Sequence, residues 1–304
     1  MIEGEKIMNP TYSKLTYMDE SIKNEIQQLV LLCQKKEQIS FKLELDYKIK
    51  DAVEIQKTST IAQNNEFFCY NGKQLIGYVG ISQYGDSYAE VNGLIHPDFR
   101  RNHYFSTLLH HVESELLSRG RQKYLLLTDA TSISGKEFAQ YKKGVIQHTE
   151  YEMELPLDVK VDDVHHSVKL LLAKNDDSSI VNHFNEFFSG DIEKTSNSIL
   201  PEEEYKRGME IYLAKIDGET IGKIHLQFHG EMAWIYGFII NPEFRGKQYG
   251  KNVLLQAITL MRSRGVTTIL LQVDSDNPVA FSLYQRIGFK ILYAMEYYVI
   301  DIKK

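Results

Sequence analysis

The sequence predicts an α/β (α+β) protein made of two tandem copies of one domain, and three observations carry that prediction. The chain has 304 residues, about twice an ordinary single-domain length. It repeats itself once: HPDFRRNHYFSTLLHHV (96–112) lies beside NPEFRGKQYGKNVLLQAI (241–258). Pro97, Phe99, Arg100, Tyr104 and Leu109 are matched by Pro242, Phe244, Arg245, Tyr249 and Leu254, each 145 positions later. Both copies also carry the same strand and hairpin signals on their flanks.

Upstream, FFCYNGKQLIGYVGISQY (67–84) and IYLAKIDGETIGKIHLQF (211–228) each set a turn, NGK or DGE, between two strand-like runs. Asn-Gly and Asp-Gly between alternating apolar residues are strong hairpin signals. Downstream, YLLLTD (124–129) matches ILLQVD (269–274), and TEYEMEL (149–155) matches MEYYVID (295–301). One repetition of this length marks a duplicated domain rather than a solenoid. The boundary is expected in the polar stretch LDVKVDDVHHS (157–167), giving domains 1–156 and 157–304.

The second half is the clearer copy. VKLLLA (168–173) reads as a strand, SSIVNHFNEFF (178–188) has helical spacing, and NSILPEEEYKRG leads into a short helix. MEIYLAKI, IGKIHLQF and MAWIYGFII read as three strands. After the repeated loop, Val253, Leu254, Ala257, Ile258 and Met261 form one apolar helical face, closed by Arg264-Gly265. TTILLQV is almost continuously apolar, as a strand covered on both faces would be. NPVAFSLYQRI is helical, and FKILYAMEYYVI is expected to give two final strands.

Composition narrows the class of function. Hydrophobic residues are 43% and charged residues 25% of the chain, as in a soluble globular protein. A net charge of -6 with a pI near 6.0 argues against a nucleic-acid partner. Cys33 and Cys69 sit among apolar residues without metal-ligand spacing and are expected to be reduced, buried thiols. No apolar run is long enough to cross a bilayer, and MIEGEKIMNP lacks the design of a secretory signal. A cytoplasmic location without membrane association is therefore expected. None of the ten histidines shows an HExxH-type spacing, so no metal is expected.

The repeated loop carries the chemistry. Phe238, Ile239 and Ile240 end a strand, and a helix starts at about Gly250. A helix start offers unpaired N–H groups and partial positive charge to an anion, and Arg245, Lys247 and Lys251 add to it. The loop contains neither a Gly-Lys-Ser/Thr P-loop nor a G-x-G-x-x-G fingerprint. Taken alone, an anion cradle and a plain strand–loop–helix turn both remain open.

A second segment, DSDNPVAFSLYQRIGFKIL (274–292), places Asn277, Ala280, Leu283, Tyr284, Gly288 and Phe289 at characteristic spacing. With FRGKQYG some thirty residues earlier, this resembles the GNAT superfamily of CoA-dependent N-acyltransferases. Arg245-x-x-Gln248-x-Gly250 is similar to its pyrophosphate motif Q/R-x-x-G-x-G/A, and Asn277 to Phe289 to its N-x-x-A-x-x-L-Y-x-x-x-G-F helix. The resemblance covers residues 166–304 well and 12–155 more loosely. It implies two tandem GNAT-like domains, each a mixed, mostly antiparallel sheet flanked by helices. It also implies acetyl-CoA as cosubstrate, direct attack of a primary amine on the thioester, and a small molecule or a protein amino group as acceptor.

Carried onto this chain, the resemblance assigns the pantetheine arm to Phe238, Ile239 and Ile240, and to Asn277. It assigns the pyrophosphate to Arg245, Gly246, Lys247, Gln248, Tyr249, Gly250 and Lys251. It assigns protonation of the departing thiolate to Tyr284. Gln248 departs from the family glycine and is compatible with an α-like backbone that points its side chain outward.

The first half departs further. Phe105 stands against Gly250, where it is expected to crowd the loop, His103 against Gln248, Arg101 against Gly246, and Gln140 against Tyr284 with Tyr141 one residue away. No asparagine matches Asn277. The first domain is thus expected to be a degenerate copy and the second the catalytic one, although Arg100, Arg101 and Tyr104 leave CoA binding without turnover open. Candidate bases are Glu231, His229, His225 and, in the first half, Glu90. Glu202, Glu203 and Glu204 suit either a cationic acceptor or a solvated helix start, and Trp234 with Tyr236 either a pocket wall or core packing. A monomeric pseudo-dimer and a homodimer both fit the duplication. The alternative function is a non-catalytic CoA-binding sensor or partner-binding module.

Overall fold

The computed structural model describes residues 9–49, 63–83, 88–160, 168–186 and 199–303. The N-terminal residues 1–8, the boundary residues 161–167 and the second-half segment 187–198 lie outside that description. The chain divides into two compact units: Met1–Thr149 with Tyr293–Lys304, and Glu150–Leu292.

The first unit contains β1 (Thr11–Leu15), α1 (Glu20–Lys36), β2 (Glu66–Asn71), β3 (Gln74–Ser82), β4 (Ala89–Ile95), α2 (Tyr104–Ser118), β5 (Lys123–Asp129) and α3 (Ile133–Tyr141). β6 (Val145–Leu155) leads into the second unit. There follow β7 (Lys169–Leu172), α4 (Ser178–Glu186), α5 (Pro201–Lys206), β8 (Met209–Ile216), β9 (Glu219–His229), β10 (Met232–Ile240), α6 (Tyr249–Ser263), β11 (Thr268–Asp274) and α7 (Pro278–Ile287). The last strand, β12 (Lys290–Asp301), is one continuous element rather than the two expected, because no turn residue interrupts KILYAMEYYVID.

In the first unit the strands run β1-β2-β3-β4-β5-β12; in the second, β7-β8-β9-β10-β11-β6. Each sheet is antiparallel apart from one parallel pair, β4 with β5 and β10 with β11. Both predicted hairpins are present, with Gly72 at φ +61° in one turn, and Asp217 at +49° and Gly218 at +89° in the other.

The two closing strands exchange units. Residues 150–155 pair with β11, and 295–301 with β5. The registers are equivalent, Met153 opposite Leu271 and Tyr298 opposite Leu126. A division of the sequence at 156/157 therefore separates each sheet from one of its strands. The matched strands TEYEMEL and MEYYVID carry the same alternation, so either satisfies either register.

Apolar faces pack as their spacing dictates. The α6 residues Val253, Leu254, Ala257, Ile258 and Met261 are all buried against Ile224, Leu226 and Ile235 of the sheet. On the other face of that sheet, Val181 of α4 meets Ile211 and Leu213. The first unit repeats this arrangement: Leu108, Leu109, Val112 and Leu116 of α2 cover one face, while Ile26, Leu29 and Cys33 of α1 cover the other with Phe68, Tyr78 and Leu94. Cys33 and Cys69 are free and buried, and burial pushes both thiols up from their ordinary pKa. Among the described residues no helix is long and apolar enough to cross a membrane.

Candidate functional site

β10 pairs with β11 only from Met232 to Ile235, then parts from it. The parting is built by a bulge: Tyr236 faces His225 of β9, yet Ile239 already faces Lys223, so Gly237 and Phe238 share one position. Gly237 has φ +51°, and a Cβ there would lie 3.1 Å from His225 Nδ1. Glycine meets both requirements, the left-handed backbone and the ring against it. Past the bulge, the backbone of Phe238, Ile239 and Ile240 has no β11 partner.

The strand ends in a loop whose path is set by its own residues. Asn241 Oδ1 accepts from Glu243 N–H at 3.1 Å, and Arg245 Nε donates to Ile240 O at 2.9 Å. Arg245 thus braces the strand end. Gly246 at φ +76° and Gln248 at +63° turn the chain into α6. Gln248 is therefore left-handed, not right-handed α-like, a conformation that costs a non-glycine residue about 1–2 kcal/mol. Alternating left-handed residues make a concave run of N–H groups suited to an anion. Among the described residues no side chain caps α6, so its first N–H groups have no side-chain partner. Lys247 Nζ lies 5.4 Å from the Phe244 ring, Tyr249 packs against the same ring, and Lys251 is in the first turn. A Cβ on Gly250 would lie 3.5 Å from both Phe238 and Leu283, which cover this helix start.

α7 is capped: Asn277 Oδ1 accepts from Ala280 N–H at 3.1 Å, with Pro278 in the first turn. Seven residues on, Tyr284 is 6% exposed, edge-on to Phe289. Burial alone pushes its hydroxyl up to about 12, and that hydroxyl has no hydrogen-bond partner among the described residues.

The face of the sheet opposite α6 carries a different set of groups. Register places Gln227, Trp234, Leu270 and Glu154 side by side, with His225 and Tyr236 one step along. Trp234 and Tyr236 stack at 5.8 Å and 11°, half-buried, so they are neither wholly core nor free. Sequence inspection missed Lys223. It is fully buried, and its Nζ contacts Asn185 Oδ1 of α4 and His225 Nε2, the latter at 3.0 Å. Burial lowers the Lys223 ammonium to about 8; burial and that ammonium lower His225 to about 3. The signal was the spacing Lys-x-His on a strand, which puts both on one face.

The other base candidates stand apart from this cluster. His229 and Glu231 are exposed at the β9–β10 turn, and Glu90 lies on β4 in the first unit. At the start of α5, Glu203 pairs with Lys206, Glu204 with Arg207, and Glu202 with Asn175. These contacts are those of a solvated helix start.

The first unit has the same loop with a different filling. Arg101 at φ +66° and His103 at +61° reproduce the two left-handed residues, and α2 also lacks a side-chain cap. Arg100 Nε donates to Ile95 O at 3.2 Å, as Arg245 does in the second unit. β4 has no bulge, and the residue matching Phe238 is Gly93. β4 parts from β5 after Val91, and a cavity of about 540 Å³ opens there. Phe105 does not close it: the ring packs edge-on to Phe138 at 4.8 Å, along the wall. Ser132 caps α3 where Asn277 caps α7. Counting from the caps sets Ala139, not Gln140 or Tyr141, against Tyr284. α3 is nine residues long and α7 ten, so counting back from Gly144 and Gly288 misplaces the match.

Two copies of a strand that parts from its parallel neighbour, an arginine-braced loop and an uncapped helix define a tandem-duplicated α/β fold. The chain belongs to the acetyltransferase (GNAT) family, whose model matches residues 33–139 and 178–289. It is 35% identical over 75 residues to a spermidine N(1)-acetyltransferase of Thermoplasma acidophilum, spanning 25% of this chain and 47% of that one. It is 34% identical over 80 residues to a mycothiol acetyltransferase of Streptomyces coelicolor, spanning 26% of each. These matches thus span less than half of either relative. In structure it is similar to a GCN5-related N-acetyltransferase from Sphaerobacter thermophilus, with TM-score 0.73, 15% identity and 96% of each chain covered. A tandem GNAT protein from the clavulanic acid biosynthesis pathway gives TM-score 0.69 and 15% identity over 97% of this chain and 99% of that one. At such identities the likeness establishes the fold alone.

Proposed function

We propose that the protein is an acetyl-CoA-dependent N-acetyltransferase acting on a primary amine, with the reaction in the second unit. One conjunction carries this reading: the strand that parts after Ile235, the uncapped α6 start, and the unpartnered Tyr284 hydroxyl belong to one unit. Bound acetyl-CoA would supply an activated acyl group. The N–H groups from Gln248 to Lys251, with Lys247 and Lys251, suit its pyrophosphate. The backbone of Phe238 to Ile240 can pair with the pantetheine arm, and a strand N–H can stabilise the oxyanion. Tyr284 keeps its proton at neutral pH, as a donor to a leaving thiolate must.

The acceptor side is the face bearing Trp234, Tyr236, Glu152 and Glu154. Aromatic rings beside carboxylates suit a cationic amine. Similarity to the spermidine N(1)-acetyltransferase of Thermoplasma acidophilum supports a small-molecule amine here. A CoA-binding sensor is the second reading, favoured by the first unit, where the same loop and parted strands occur with Ala139 in place of Tyr284.

Melting temperatures with acetyl-CoA, CoA, ATP and NAD, followed by free-thiol release against an amine panel, separate these readings. Stabilisation by both CoA species and amine-dependent thiol release is expected. Stabilisation by ATP alone would sink the CoA assignment, and CoA binding without thiol release would favour the sensor.

A further inference from the structure

The first unit's cavity, about 540 Å³, has the size of a small-molecule site. Gly93 and Ile95 line it from the face of β4 that meets α2; Asn92 and Leu94 line it from the opposite face. The cavity therefore passes through the sheet where β4 and β5 part. At one end are the left-handed Arg101 and His103 and the uncapped α2 start.

At the other end is the Asn92 amide. It is 6% exposed, and its Nδ2 is buried without a hydrogen-bond partner among the described residues. Leaving such a donor unpaired is unfavourable, and an entering acceptor oxygen offsets that cost. Lining the same cavity, Asp129 is 5% exposed and already occupied. Its Oδ2 accepts from Ser40 N–H at 2.8 Å, and its Oδ1 from Thr131 N–H at 2.7 Å and from the Thr131 hydroxyl at 2.5 Å. That carboxylate disfavours an anionic group in the cavity.

We propose that the first unit is an acyl-selective site: it binds a CoA thioester whose acyl chain carries a neutral hydrogen-bonding oxygen, a hydroxyl or an amide, held by Asn92. This rests on reading the loop and parted strands as a CoA site. Ala139 stands where the second unit has Tyr284, so the thioester is held there without the acid that would help release its thiol. The unit is a selective sensor of acyl type rather than a worn copy of the other.

The test is calorimetric titration of the full chain with 3-hydroxybutyryl-CoA, butyryl-CoA and succinyl-CoA. Gly250→Phe is used to obstruct the second unit: a Cβ there already lies 3.5 Å from Phe238 and Leu283, so the added ring is expected to be turned toward the loop. That variant is expected to bind one equivalent of the hydroxyacyl thioester about tenfold more tightly than the butyryl one, one hydrogen bond's worth. It should bind the succinyl one more weakly than either. Adding Asn92→Leu should erase the hydroxyacyl preference without weakening butyryl-CoA. The three-ligand comparison needs no change at Asn92, so it decides the matter even where the double variant folds poorly.

Equal affinity for hydroxyacyl and butyryl thioesters overturns the proposal, as does a preference that survives Asn92→Leu. A wild type that binds one thioester, lost in Gly250→Phe, overturns it while leaving the proposed function intact. A wild type that binds no CoA thioester overturns both.

Discussion

Tyr284 and the Lys223–His225 pair show how burial sets chemistry at single residues. The Tyr284 hydroxyl is held at about 12 by burial alone, so Phe in its place removes a proton donor and little else. Asn277 at the helix start is a cap, and Asn277→Ala should cost about 1 kcal/mol of stability in urea unfolding. His225 lies at about 3, against about 6.5 for a free imidazole. Between those values the unfolded chain binds more protons than the folded one. The stability tied to His225 is thus fully present above about 6.5 and is lost as pH falls toward 3. In Lys223→Met the ammonium is gone while the burial stays. His225 should then titrate higher than about 3 but still below the free value, as followed by the NMR shift of its Hε1. An unmoved titration would show that Lys223 does not act on the ring. The sequence showed Tyr284 and Asn277 through their spacing; the Lys-x-His spacing marked Lys223 but not its burial, which depends on α4 lying over β9.

At the scale of elements, both loops turn on left-handed residues, Arg101 and His103 in one, Gly246 and Gln248 in the other. The departure of Gln248 from glycine was legible in the sequence; its sign of φ was not, because glutamine ordinarily avoids that region. Gln248→Gly should raise stability by about 1 kcal/mol in urea unfolding, and no gain would mean that the glutamine side chain repays its strain elsewhere. The bulge at Gly237–Phe238 was marked in the sequence only by a lone glycine within the strand, which does not show which residues share a position. It nonetheless separates the two units: one places a phenyl ring over the helix start, the other leaves Gly93 and a cavity. Counting from the N-caps rather than from the terminal glycines is what sets Ala139 against Tyr284.

At the scale of the molecule, the duplication and the paired hairpins were plain in the sequence, while the exchange of closing strands was not. Equivalent strands offer equivalent registers, so only the three-dimensional path decides which sheet each joins. A fragment of residues 157–304 lacks Met153 and Leu155, which are 0% and 1% exposed in the second unit's core. Burying such side chains contributes about 1.5–3 kcal/mol each. A fragment of residues 150–292 keeps all six strands of that sheet. The longer-tailed 157–304 fragment should therefore unfold at lower urea than 150–292, and equal midpoints would contradict the exchange.

The central claim, chemistry in the second unit with Tyr284 as its acid, is tested most directly by amine-dependent thiol release from acetyl-CoA, wild type against Tyr284→Phe. The expected result is a fall in kcat of about 100-fold at neutral pH, with the affinity for CoA unchanged. Turnover that survives Tyr284→Phe but is abolished by Asn92→Leu would place the reaction in the first unit instead.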